Sequence, residues 1–418
     1  MQTHVIVGGG VAGASAAESL RGAGFDGRIV LIGEETEEPY QRPPLSKELL
    51  RGAVERDFVL LRSPGFYAGN SIELHLGDRV VHIDPHARRV DCASGSHFEY
   101  DKLLIATGGT PRQMRVPGSD LAGVHYLRTL SQALALRKDF EHQPRILVVG
   151  GGFIGCEVAA SARQIGCEVV IAGPTLPMAH ALGPELAAIY AAYHGGHGVE
   201  LKSGVTVTEF RGALALEEAV LSDGSKVSCT VAVVGIGIEL SLAMLNDVDT
   251  HDGLATDEFC RTTIDNVFAA GDIARSWRPR LGRHVRLEHF DNAQLQGAAA
   301  AHSMCGDMVP YDPIPFFWSD QYEFGLQYYG NAIGWDSVVV RGLPNEGSFS
   351  AFYLQNGRID AVCAVNRSRD MNALKRLIGR RNVSAQALAN DKVPLKDILG
   401  AELLDIAPVP PPSAVVGA

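Results

Sequence analysis

Two Rossmann-like α/β units followed by a small α+β domain is the fold class this sequence predicts, and three observations predict it. Gly8-Gly9-Gly10-Val11-Ala12-Gly13 follows an apolar strand at residues 4–7 and opens into an Ala-rich helical stretch at 14–20. Gly150-Gly151-Gly152-Phe153-Ile154-Gly155 repeats that arrangement, after a strand at 146–149 and before a helix at 156–164. From Pro315 the texture changes: Phe316, Phe317, Trp318, Tyr322, Phe324, Tyr328 and Tyr329 crowd together, and alternating strand patterns replace the βαβ units. With 46 glycines in 418 residues a lone G-x-G-x-x-G would carry little weight. The strand before and the helix after each copy make the case. In such a turn the glycines let backbone approach a pyrophosphate, and the helix N-terminus offers unpaired N–H groups. Two turns imply two bound dinucleotides, and two dinucleotides on one chain imply electron exchange.

The elements follow in order. The first βαβ runs from the strand at 4–7 through a helix ending near Gly22 to a strand at 28–32, which stops at Gly33-Glu34. Glu34 stands where an acidic side chain accepts hydrogen bonds from a ribose, although a solvated strand-end carboxylate would look the same. Pro39-Tyr40-Gln41-Arg42-Pro43-Pro44-Leu45-Ser46-Lys47 reads as a stiff segment leading into a short helix. A strand at 102–105 ends in Ala106-Thr107-Gly108-Gly109, where the chain leaves the first domain. A helix at 131–141 then leads into the second βαβ, which closes near 231–237 with an apolar strand running into glycines. A strand at 266–270, ending at Gly271-Asp272, returns to the first sheet. Strands at 337–341, 348–354 and 359–365 and a helix at 371–381 make up the third unit. The expected domains are 1–110 with 240–315, 111–239, and 316–407. The Pro-rich tail at 408–418 is expected to be disordered.

Bulk properties narrow the function. The length suits two or three domains. A hydrophobic content of 46% with 20% charged residues fits a soluble globular protein. The formal charge of −11 argues against bulk nucleic-acid or anionic-membrane binding but leaves room for a local basic patch. No apolar run reaches bilayer length, and no export signal precedes the first strand, so the cytoplasm is the expected location. Seven scattered cysteines without a C-x-x-C suggest reduced thiols. Cys156 opens a helix but reads as a small packing residue. No metal site is expected.

With these motifs in place, the chain resembles the FAD-dependent ferredoxin reductases of the putidaredoxin-reductase type, which serve cytochrome P450 and Rieske oxygenase systems. The resemblance covers nearly the whole chain. It rests on the two glycine fingerprints, the Pro39–Lys47 stretch, Ala106-Thr107-Gly108, the stretch 267–272 with Thr263 upstream, and Phe317-Trp318-Ser319-Asp320-Gln321-Tyr322-Glu323. It implies a glutathione-reductase-like arrangement of an interrupted FAD domain, an inserted NAD(P)H domain and a C-terminal domain. A nicotinamide gives two electrons as hydride and an iron–sulfur protein takes one at a time, so a flavin between them is the natural converter.

By this resemblance Gly8, Gly10, Ala12 and Gly13 hold the FAD pyrophosphate, Glu34 its ribose, and Gly271 and Asp272 the ribityl chain. Asp272 would equally serve as a helix N-cap. Arg42, Val80, Arg128, Glu288, Phe290 and Trp318 are further FAD candidates, although Trp318 could be core within its aromatic cluster. Lys47, Glu157 and Trp318 are the candidate catalytic residues. A lysine cation beside the ring stabilises negative charge that develops there. Gly150, Gly152, Phe153, Ile154, Gly155, Glu157, Gly173, Thr175, Gly235, Ile236 and Gly237 are the NAD candidates. Here the sequence departs from the family pattern, because Gly173 stands where NADH-selective members carry an acid. NADH is favoured, NADPH stays open, and Thr175 can bond either form.

The stretch 41–50 holds no cysteine, so electrons should leave directly for an external acceptor rather than through a thiol relay. The expected partner is a 2Fe-2S ferredoxin, and the chain is expected to be a monomer or weak homodimer. Arg367, Arg369, Lys375, Arg376, Arg380 and Arg381 are candidates for a basic docking face, or equally for a solvated helix face. Two other readings stay open: a monodehydroascorbate- or quinone-reductase-like enzyme with a small acceptor, and an apoptosis-inducing-factor-like flavoprotein that acts by binding a partner.

Overall fold

The computed structural model describes residues 1–240, 242–245 and 252–400. The expected disordered tail at 408–418 lies outside the described residues, as does 401–407. The described chain divides into two compact units, one ending at Gln327 and one beginning at Tyr328. The aromatic strand Phe316–Gln321 therefore belongs to the first unit.

Within the first unit two five-stranded parallel sheets share one plan. In the first, Thr3–Val7 lies at the centre, flanked by Arg28–Gly33 and Lys102–Ile105, with Ile72–Leu76 and Val267–Ala269 at the edges. In the second, Arg145–Val149 is central between Glu168–Gly173 and Val231–Val234, with Glu200–Ser203 and Val124–Tyr126 outermost. The apolar, β-branched runs VIV and ILVV suit strands covered on both faces, and all their side chains are buried. Each glycine turn leaves the carboxyl end of the central strand, where successive strands switch sides and a crevice opens. A three-stranded antiparallel meander accompanies each sheet: Val80–Asp84, Arg89–Cys92 and His97–Glu99 in one case, Val207–Arg211, Glu218–Leu221 and Lys226–Ser228 in the other. The last strand of the first sheet returns after the second sheet is complete, as expected from residues 266–270.

The second unit carries the antiparallel strands Ser337–Leu343, Ser348–Gln355 and Arg358–Val365. Its core joins Phe352, Val362 and Leu374 to Leu388. The helix expected over 371–381 stops at Leu377, because Ile378 turns extended and Gly379 takes a φ of +87°.

Candidate active site

The two glycine turns are near copies of each other. Gly8 and Gly150 have φ of +122° and +100°, and a Cβ on either would collide with the carbonyl oxygen of Ala106 or Gly235. A Cβ on Gly13 or Gly155 would collide with the carbonyl oxygen of Gly8 or Gly150, so the first turn of each helix closes onto its strand. Gly10 and Gly152 are the N-cap residues, with φ/ψ of −76°/−177° and −77°/−175°. Neither helix has a side-chain cap, and nothing stands within 4 Å of a Cβ built on either N-cap glycine. An open cradle below uncapped N–H groups suits a diphosphate at both places.

Around the first turn, Glu34 is exposed just beyond the strand Arg28–Gly33. Its neighbour Glu35 is engaged instead: it accepts from Tyr40 Oη at 2.5 Å and pairs with Arg42 at 2.8 Å. Arg42 also donates to the Arg128 carbonyl, and Tyr40 Oη accepts from Leu130 N at 2.9 Å. These bonds clamp the Pro39–Lys47 segment to the entrance of the helix Leu130–Phe140, whose Thr129–Gln132 capping box fixes its start. Val80 is buried and opens its strand two residues after Asp78, whose N–H bonds the Gly33 carbonyl at 3.0 Å. Asp272 lies in the 3-10 turn Gly271–Ile273 and pairs with Arg128 at 2.9 Å, while Ala270 holds the N-cap position. Arg128 Nε, Thr107 Oγ1 and His289 Nδ1 are buried without a hydrogen-bond partner. Buried polar atoms of this kind are what a polar ligand would satisfy. Glu288 is half-exposed and pairs with Arg286 at 2.7 Å.

Beside the second turn sits a buried ion pair. Lys47 follows the 3-10 helix Pro43–Ser46, whose two prolines preset its backbone. Glu157 lies in the first turns of the helix Phe153–Gln164. Lys47 Nζ and Glu157 Oε2 are 2.8 Å apart, with the two side chains 6% and 4% exposed. Ser46 Oγ donates to the same carboxylate oxygen at 2.5 Å and Ser319 Oγ to the other at 2.7 Å. Leu50 packs with Val158, Ala159 and Ala162, and Ser161 Oγ donates to the Ser46 carbonyl at 2.7 Å, so the lysine segment is seated on the second fingerprint helix. The strand Phe316–Gln321 supplies Ser319 and closes the same region. Phe317 meets Phe153 at 4.9 Å and His289 at 4.8 Å, and Trp318 meets Phe290 at 5.8 Å. Trp318 thus lies among aromatic neighbours at the approach of the two Rossmann units.

Around the second turn, Gly173 ends its strand, and Thr175 Oγ1 donates to the Leu176 carbonyl at 3.3 Å. Ile154 and Ile236 are exposed. Gly235 follows the strand Val231–Val234, and Gly237 takes a φ of +96°. Cys156, beside Glu157, is fully buried, and burial pushes its thiol above the ordinary range. All seven cysteines are free, six of them buried.

Sequence reasoning did not assign Ser46, Ser319, Gln321 or His194. The serines and Gln321 stand inside the quoted motifs, whereas His194 carries no sequence signal beyond being a histidine on a helix. Among the described residues, His75, Asp78 and Cys92 also gather within 4.8 Å. Asp78 is already bonded by His75, by Ser94 Oγ and by Ser94 N, which explains the cluster as a closed polar contact.

Residues 2–297 match the family model described as pyridine nucleotide-disulphide oxidoreductase. The chain belongs to this family. Residues 316–399 match a second model, described as reductase C-terminal. The chain is 39% identical over 400 residues to the ferredoxin–NAD(+) reductase component of the anthranilate 1,2-dioxygenase system of Burkholderia cepacia, covering 94% of this chain and 98% of that one. It is similar to the crystal structure of the ferredoxin reductase for the CYP199A2 system from Rhodopseudomonas palustris, with a TM-score of 0.90 and 36% identity over 95% of this chain and 99% of that one. The covalent putidaredoxin reductase–putidaredoxin complex gives a TM-score of 0.89 and 35% identity over 96% and 98% of the two chains. The resemblance read from the motifs therefore holds, and the chain is an oxidoreductase of this family. Among the described residues, no helix is long and apolar enough to cross a membrane.

Proposed function

We propose that the chain is a flavoprotein reductase that takes hydride from NADH onto FAD and passes single electrons to a 2Fe-2S ferredoxin serving a P450 or Rieske oxygenase. One observation carries this reading: the chain holds two like-built, open glycine cradles, and the helix that opens from the second carries Glu157 in a buried pair with Lys47. FAD bound in the first cradle would supply the change from two-electron to one-electron chemistry.

The chain's own residues divide the work. Gly8, Gly10, Ala12 and Gly13 would hold the FAD pyrophosphate, Glu34 its ribose, and Gly271 with Asp272 its ribityl chain, with Val80 a further FAD candidate. Arg42 and Arg128 add charge along the route, and Glu288 and Phe290 border it. Lys47 places a cation where negative charge collects, and Glu157 with its two serines keeps that cation in place. Trp318 would stack near the flavin ring. Gly150, Gly152, Phe153, Ile154 and Gly155 receive the nicotinamide dinucleotide, with Gly173 and Thr175 at its ribose and Gly235, Ile236 and Gly237 nearer its reactive end. Arg369, Arg376 and Arg381 are exposed in the second unit. They are the docking candidates left open, since Arg367 is paired with Asp370 and Asp391, Arg380 with the Leu399 carbonyl, and Lys375 lies over Tyr329.

The purified protein should take up one FAD per chain and lose its flavin absorbance on anaerobic addition of NADH. A protein that cannot take up FAD would sink the reading.

A further inference from the structure

We propose that Gln321 and His194 are positioning residues of the reductive site, forming the middle of a one-way row of hydrogen bonds that orients Ser319 to share the charge of Glu157 with Lys47. This rests on the flavoprotein reading above. The direction of the row follows from counting protons. Ser319 has one hydroxyl proton and gives it to Glu157 Oε1 at 2.7 Å, so its oxygen accepts from Gln321 Nε2 at 3.1 Å. That choice turns the Gln321 carbonyl oxygen toward His194 Nε2 at 2.9 Å, so this nitrogen carries the proton. His194 is fully buried, and burial lowers its pKa to about 4 while the Gln321 bond opposes the shift, so the ring is neutral. Its Nδ1 is then an acceptor, with the Tyr322 hydroxyl 3.5 Å away.

Three elements meet in this row. His194 comes from the helix Ala179–Gly196, Gln321 and Ser319 from the strand Phe316–Gln321, and Glu157 from the second fingerprint helix. Ser319 and Gln321 are each 1% exposed, so water does not reach them to replace a lost partner. At the outer end Tyr322 takes a left-handed φ of +52° and stacks on His197 at 3.8 Å.

The row has an electrostatic consequence. Glu157 spreads its charge over Lys47 and two serine hydroxyls. Without an oriented Ser319, Glu157 draws more of its compensation from Lys47, and less of the lysine's positive potential reaches the ring beside it. Loss of the row should therefore lower the flavin midpoint potential and slow reduction by NADH.

The test uses FAD-loaded full-length protein, with dye-equilibrated midpoint potentials and stopped-flow reduction across NADH concentrations. Gln321→Leu, His194→Leu and the smaller change Ser319→Ala should each lower the potential. Each should also slow the limiting reduction rate by roughly tenfold, the size of one hydrogen bond to a charged group, with the apparent Kd for NADH unchanged. His194→Gln keeps a donor at the same place and should restore both values. An unchanged potential in Ser319→Ala, or no difference between His194→Leu and His194→Gln, overturns the proposal. Lys47→Met separates the two readings: if it shifts the potential while the row variants do not, only the positioning role falls. If wild-type protein fails to hold FAD, both fall.

Discussion

At the scale of single residues, the Lys47–Glu157 pair carries opposite consequences for stability and for chemistry. A pair this buried is costly to break from one side, because the remaining charge is left in a medium that solvates it poorly. Lys47→Met should therefore destabilise the protein by about 3–5 kcal/mol, reduced by whatever the Ser46 and Ser319 hydroxyls return to Glu157. It should also slow flavin reduction by tenfold or more, on the order of one charge-assisted interaction. Adding Glu157→Gln should recover much of the stability, since a neutral amide replaces the stranded carboxylate, without recovering the rate. Chemical denaturation and stopped-flow reduction of the single and double variants distinguish these effects. A double variant that regains the rate would show that Lys47 acts only by neutralising Glu157. Legibility at this scale was uneven. Lys47, Glu157 and Trp318 stand in motifs, and the expected approach of Glu157 to Lys47 is found. Ser46 and Ser319 stand in the same motifs, but a hydroxyl's partner is set by a tertiary approach no spacing encodes. His194 reaches the site from a helix far along the chain, and only the fold brings it there.

At the scale of elements, the strand–turn–helix units were the most readable part of the molecule. Their glycines are demanded by local backbone: the positive φ at Gly8 and Gly150 and the tight approach at Gly13 and Gly155 leave no room for a side chain. The helix predicted past Leu377 ran long because Lys375, Arg376 and Arg380 preserve a helical pattern, while Gly379 ends it through backbone conformation. The strand Glu168–Gly173 carries the question of nicotinamide choice. A Cβ on Gly173 would lie 3.7 Å from Gly151 N, an ordinary contact, so a longer side chain fits without moving the turn. Gly173→Glu should raise the NADH-over-NADPH ratio of kcat/KM by about tenfold or more, because an acid there bonds a ribose hydroxyl and repels a 2′-phosphate. An unchanged ratio would place the adenosine ribose elsewhere.

At the scale of the whole molecule, the repetition of one sheet plan explains how the site arises. Each Rossmann unit offers its cradle at the carboxyl end of its central strand, and the Pro39–Lys47 segment and the strand Phe316–Gln321 converge on the ion pair beside the second cradle. The net charge of −11 argues against bulk nucleic-acid or anionic-membrane binding, and the missing cysteine in 41–50 points away from a thiol relay. The structure adds that Cys156, the cysteine beside Glu157, is buried with a raised thiol pKa, so it offers no substitute relay. The proposed function is direct delivery of single electrons to a partner protein. The most direct test is NADH-driven cytochrome c reduction by the FAD-loaded protein, with and without a 2Fe-2S ferredoxin. Direct delivery predicts a slow rate alone that rises in proportion to added ferredoxin until it saturates. A rate unaffected by any ferredoxin, alongside rapid turnover with a quinone, would contradict it.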